Sequence, residues 1–293
     1  MSGRVAQPNR CLGASLIGVS DCIARVTAQR VSLSVLFLAV MGLSSLVLTA
    51  WLAVTGDWPR WDTYGWVASA VSGALTLVAL FFLYKALARG PVSVASPAAS
   101  SFSVMLVAIN VVAGAPFVWQ QGVAILMVFG GVTMLARRGR SETAHDPAHL
   151  RVTALLGLAS ALAIALRMFL AQEASEILGV VGSLYLNRLF ALAGVVVLLA
   201  YETTRGGVRR WPDRATLPLV GLQSILETVA MASFLVGSAG TGRIGAAIGF
   251  AGFSAVTALT AWLWLKEPVG WRRSLWMAVV GAGIALAVAA APN

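Results

Sequence analysis

TLPLVGLQSILETVAMASFLV, residues 216–236, is a continuous apolar run with one carboxylate, Glu227, near its middle. Its length matches the roughly 20 residues that a helix needs to cross the 30 Å hydrocarbon core of a bilayer. In lipid every backbone N–H and C=O must be satisfied within the segment, which leaves the α-helix as its conformation. A transmembrane barrel would show short stretches of strict apolar/polar alternation, and this run has none.

The same reading extends outward over the whole chain. The 293 residues are 59% hydrophobic and 11% charged, against roughly 25% charged in soluble domains. The mean hydropathy is +0.85. Further runs delimited by Arg, Gly, Pro and Trp fall at about 11–28, 32–55, 64–88, 91–113, 116–136, 150–171, 179–201, 243–265 and 271–290. With 215–237 they predict an all-α membrane protein of about ten transmembrane helices. The first run reaches only about ten residues before Asp21, so it either spans or lies partly in the interface.

The longest polar stretch, Arg137 to Arg151, separates two sets of five runs. The expected units are residues 1–138, a cytoplasmic linker over 139–149, and 150–293. A shift of 152 positions superposes Gly90 on Gly242, Pro116 on Pro268, Trp119 on Trp271 and Gly131 on Gly283. An odd number of spans per unit makes the two inverted five-helix repeats, the arrangement that supports alternating access around a midplane site.

Of the 21 Lys and Arg, fifteen lie on the odd-numbered connections and four, Arg4, Arg10, Arg60 and Arg243, on the opposite face. That excess places the linker in the cytoplasm and the protein in the plasma or inner membrane. The net charge of +10 is scattered between apolar runs rather than gathered on one patch, which argues against a nucleic-acid partner. Cys11 and Cys22 have no metal-type spacing and are expected to be free thiols. Glu142, His145, Asp146 and His149 in the linker read as a solvated loop rather than a metal site. No phosphate loop, Ser/His/Asp set or HExxH helix is present, so neither an ATPase nor a protease is expected, nor any cofactor.

A charged group at the bilayer centre costs about 2.5–3.5 kcal/mol on insertion scales and must face protein or water. Glu227 is therefore either a substrate or proton site or a structural carboxylate. Gln223, one turn earlier on the same face, could line the same cavity. Arg188, about midway along its run, matches Glu227 in depth and is its expected partner, whereas Arg167 is expected to snorkel toward the outer end. Asn187 reads as a donor to substrate or as helix packing. Asp21 stands four residues before Arg25 and either pairs with it or acts functionally. Ser100, in the serine-rich fourth run, serves packing or polar contact.

Leu265-Lys266-Glu267-Pro268, Trp271 and Gly281-Ala282-Gly283 resemble the motif closing each half of the drug/metabolite transporter superfamily, in its ten-helix EamA-type branch. Ala115-Pro116, Trp119 and Gly130-Gly131 form a degraded first-half copy, with Ala115 at the acidic position. Tyr84-Lys85-Ala86-Leu87 before Gly90-Pro91, and Ser96-Pro97, are also similar to the branch. The resemblance implies a secondary carrier, an exporter of metabolites, amino acids or drugs, with membrane lipid around it and protons as a possible coupling ion. The competing readings are a non-transporting membrane scaffold and a flippase for lipid-linked substrates. A scaffold should show its polar groups paired and its cavity filled. A flippase should show an Arg-lined cavity opening sideways.

Overall fold

The computed structural model describes residues 30–89, 98, 99, 101–136, 147–205, 210–251 and 271–289, together with 16, 19, 20, 23 and 27. Asp21, Arg25, Ser100, both cysteines, residues 142–146 and the Leu265–Pro268 motif lie outside the described residues. The described elements are helical: α1 (Leu33–Thr55), α2 (Thr63–Arg89), α3 (Phe102–Val112), α4 (Trp119–Ala136), α5 (Pro147–Thr204), α6 (Leu217–Gly237), α7 (Arg243–Ala251) and α8 (Trp271–Ala289), with a 3₁₀ turn at Gly240–Gly242. Leu33–Thr55, Thr63–Leu83, Arg151–Thr204 and Leu217–Gly237 are each long and apolar enough to cross a membrane.

The helices end where local chemistry ends them. Gly56 closes α1 in the left-handed region at φ 74°, donating its N–H to the Leu52 carbonyl at 2.9 Å. Pro218 opens α6, where its missing N–H costs nothing. At the start of α1, the Ser32 N–H donates to the Arg210 carbonyl (3.0 Å) while the Arg210 N–H donates to Ser32 Oγ (2.8 Å), tying α1 to the connection before α6.

α5 is too long to be one rod. Its 58 residues would stretch about 87 Å at 1.5 Å per residue, nearly three hydrocarbon thicknesses. Gly179, at φ 74° and ψ 163°, breaks it, and the packing of α2 shows that the chain reverses there. Along α2, Gly65 meets Leu178, Ser72 bonds the Arg167 carbonyl and Ser160 bonds the Ala79 carbonyl, so the first arm descends as α2 advances. Gly73 meets Asn187 and Ala191, and Gly194 meets Leu77, so the second arm advances with α2. The two arms are thus an antiparallel hairpin with α2 laid along both, and they correspond to the apolar runs at 150–171 and 179–201. At Gly73 a Cβ would fall 2.8 Å from the Asn187 carbonyl oxygen, so glycine there is what lets the backbones touch.

Burial is distributed as a lipid solvent demands. Val112, Leu126 and Val197 are 89%, 71% and 68% exposed, whereas Ser72, Ser160, Asn110 and Gln121 are fully buried. Apolar atoms gain nothing by leaving lipid, so small and polar side chains fill the helix contacts instead. One core gathers α3, α4, the first arm of α5, α6 and α7; a second joins α1 to the second arm.

α4 and α8 pack through glycine. Gly131 faces Val280 and the Trp276 carbonyl, and Gly283 faces Val128 and the Ala124 carbonyl. The four positions on α4 and α8 are related by the 152-residue shift, and the contacts map onto one another when the two helices are exchanged. The paired numbers fall on one helix as they rise on the other, so the helices run antiparallel.

Candidate functional site

α6 is placed against α1 by two hydroxyls that flank Glu227. Ser224 Oγ donates to the Val40 carbonyl at 2.9 Å, and Thr228 Oγ1 shares a hydrogen bond with Ser44 Oγ. Glu227 lies between them, and Oε1 accepts from Arg188 Nη1 at 3.0 Å. The pairing expected from their matching depth is present. Arg188 is 1% exposed and Glu227 24%, so the cation is sealed in while the carboxylate still reaches open space. Arg188 Nη1 also lies 3.0 Å from Met41 Sδ, and its Nε and Nη2 have no hydrogen-bond partner among the described residues.

The open space is a cavity of about 210 Å³ with walls from both sides of the chain's middle. α1, α2 and α3 contribute Phe37, Met41, Thr76, Leu80 and Phe102, among others; α5, α6 and α7 contribute Arg167, Met168, Glu227, Met231 and Phe250. Its only charged lining groups among the described residues are Arg167 and Glu227. The Arg167 guanidinium makes no hydrogen bond or ion pair with any described residue, although its backbone carbonyl accepts from Ser72 Oγ at 2.8 Å. Arg167 shares this chamber of Phe and Met side chains with Glu227, whose carboxylate is already engaged by Arg188, so the Arg167 guanidinium is left to attract an anionic group attached to an apolar body.

Arg167 was expected to snorkel, and the structure places it in the interior instead. The first arm runs on to Gly179, so Arg167 stands twelve residues before the turn and Arg188 nine after it, which puts them at similar depth. The helix continues past Glu173 and Glu176 because Arg243, opening α7, satisfies both. Its Nη1 pairs with Glu173, while Nη2 and Nε reach the two oxygens of Glu176 at 2.6 and 3.1 Å. The signal in the sequence was the glycine after two acids that had an arginine to meet.

Gln223 is away from the cavity. Its Oε1 accepts from Thr27 Oγ1 at 3.1 Å and its carbonyl from Ser20 Oγ, so it holds α6 to the first apolar run. Asn187 Nδ2 donates to Ser72 Oγ at 2.7 Å, which in turn donates to the Arg167 carbonyl: a chain that locks α2 between the two arms of α5. Asn187→Ala should accordingly lower stability by about 0.6–1.7 kcal/mol, read by denaturation in micelles, with substrate flux retained. Loss of flux at unchanged stability would return Asn187 to the substrate site. Among the described residues no group of three or more His, Cys, Asp or Glu is placed to hold a metal.

Apolar helices with an apolar exterior and polar contacts inside define a multi-pass helical membrane protein. Residues 10–137 match the model of the EamA-like transporter family, of the drug/metabolite transporter superfamily. The match falls on the half whose closing motif is the degraded copy. No curated protein matches the chain in sequence. A solved crystal structure is similar in fold over 99% of this chain and 97% of its own, with a TM-score of 0.78 at 15% identity.

Proposed function

We propose that the protein is a secondary active exporter of small metabolites, amino acids or drugs, working by alternating access around the cavity that holds Arg167 and Glu227. The observation that carries this reading is the Arg167 guanidinium, without a hydrogen-bond or ion-pair partner among the described residues, in an open chamber between the elements before and after residue 147. A scaffold would have filled that space and paired that charge. The mutual packing of α4 and α8, related by the 152-residue shift and antiparallel, supports two inverted units of five spans each. The lysine and arginine excess supports a cytoplasmic linker in the plasma or inner membrane. Arg167 binds the anionic group of the substrate, the Phe and Met walls take its apolar part, and Glu227 is the proton site once its contact with Arg188 opens.

The test is counterflow in proteoliposomes with pooled radiolabelled amino acids, organic anions and cationic drugs under an imposed pH gradient. A hydrogen bond to a charged group is worth about 1.5–3 kcal/mol, so Arg167→Gln should weaken apparent affinity by about ten- to hundredfold, and Glu227→Gln should abolish the pH dependence. Unchanged affinity in the first variant sinks the cavity assignment; unchanged pH dependence in the second sinks the proton role.

A further inference from the structure

A second hollow, of about 870 Å³, lies on the outside of the bundle between the beginning of α1, the last turns of α2 and the end of α5. Its floor is hydrocarbon: Leu77, Val78, Phe81 and Leu198 among its walls, with Val78, Phe81 and Leu198 40%, 56% and 40% exposed. Its mouth is polar, with Lys85, Tyr201 and Glu202. Two residues, Phe37 and Leu80, line both this groove and the central cavity, so a wall one side chain thick on each helix separates them. The groove sits at the basic end of the bundle, away from the Gly179 turn. Lys85 lies over the Phe81 ring at 4.5 Å and Arg205 over the Tyr201 ring at 4.7 Å, and Arg30 and Arg210 flank the start of α1.

We infer that this groove is the entry portal of the central cavity, and that the substrate is a single-chain amphiphilic anion that arrives from the lipid leaflet. The inference rests on the carrier reading above and names its substrate class. The charge order along the route supports an anion: Lys85 stands in the groove opposite Glu202, Arg30, Arg205 and Arg210 outnumber Asp213 at that end, and Arg167, without a hydrogen-bond or ion-pair partner among the described residues, waits behind Phe37 and Leu80. The apolar floor, several times the size of the cavity, supports a tail that the cavity alone cannot hold. A head group at Arg167 and a tail in the groove would put Phe37 and Leu80 against the junction, where their rotation opens the way. A membrane-facing groove also suits such a molecule because it already concentrates in the bilayer.

Straight-chain alkanesulfonates, which stay charged at all working pH values and so do not leak across bilayers as neutral acids, are the probes. Equilibrium binding of radiolabelled butane-, octane- and dodecanesulfonate to the full chain in nanodiscs, less binding to empty nanodiscs, gives affinity on the aqueous scale. Each methylene that enters the groove should tighten binding by about fourfold. Val78→Trp, which fills the groove, should flatten that dependence on chain length. Leu46→Trp, on a lipid-facing position outside groove and cavity, should leave it intact. A flat dependence in the unaltered protein, or a slope unaffected by Val78→Trp, overturns the portal. The carrier reading is judged separately by flux: sulfonates that bind without length dependence and are still exchanged across proteoliposomes overturn the portal alone, whereas bound sulfonates that are never exchanged overturn the carrier on which it rests.

Discussion

Glu227→Leu and Arg188→Leu should each lower the unfolding free energy by about 3–5 kcal/mol, and the double variant should be more stable than either. Arg188 is 1% exposed, two of its nitrogens already lack partners, and Glu227 is its sole anionic contact among the described residues. Removing the carboxylate leaves an uncompensated buried cation, which is the costly case; removing both charges removes the cost of burying them as well. Detergent-solubilised protein titrated with denaturant gives the three free energies needed for the cycle. Additive losses in the double variant would mean that the two side chains act through separate contacts and that the ion pair is incidental. If the cavity is the transport site as proposed, the double variant should still fail to transport, because Glu227 also walls it.

Gly131→Leu and Gly283→Leu should each cost about 3 kcal/mol, and by similar amounts. A Cβ at Gly131 would lie 2.5 Å from Val280 Cγ2 and 3.3 Å from the Trp276 carbonyl oxygen; one at Gly283 would lie 3.0 Å from Met127 Cβ and 3.1 Å from the Ala124 carbonyl oxygen. Backbone atoms cannot rotate away, so the helices must part, and overpacking of this kind costs about 1–3 kcal/mol or more. The neighbouring Gly130 and Gly281 meet nothing within 4 Å, so alanine there should be neutral or gain about 0.5–1 kcal/mol from helix propensity. Thermal unfolding of the four variants in one detergent checks the contrast. Equal losses at all four positions would show that α4 and α8 do not pack through this seam.

The spans were legible where lipid leaves one conformation for a long apolar run: α1, α2, α4, α6 and α8 begin and end within a few residues of the runs at 32–55, 64–88, 116–136, 215–237 and 271–290. The Glu227–Arg188 pair was legible for the same reason: two opposite charges at equal depth have few other partners. Arg167 was not. Its depth depends on where the chain turns, and Glu173 and Glu176 look like the end of a span until Arg243 is known to cover them. Gln223 shares a helical face with Glu227, but periodicity does not say which neighbour that face meets at each level; there it meets Thr27. The glycines at 131 and 283 could be paired by the internal shift, whereas their contact with each other's helix needed coordinates.

Among the described residues, the ionisable groups at and beside the central cavity, Arg167, Arg188 and Glu227, sum to one positive charge while Glu227 is ionised. An electric field across the bilayer acts on that charge with up to about 2.3 kcal/mol per 100 mV for a full crossing. A bound monoanion cancels it. In the proposed carrier, with Glu227 ionised, the loaded form would reorient without regard to voltage and the empty one would not. If the protein exports as proposed, a negative cell interior would draw the unloaded site toward the cytoplasm, the side from which an exporter loads.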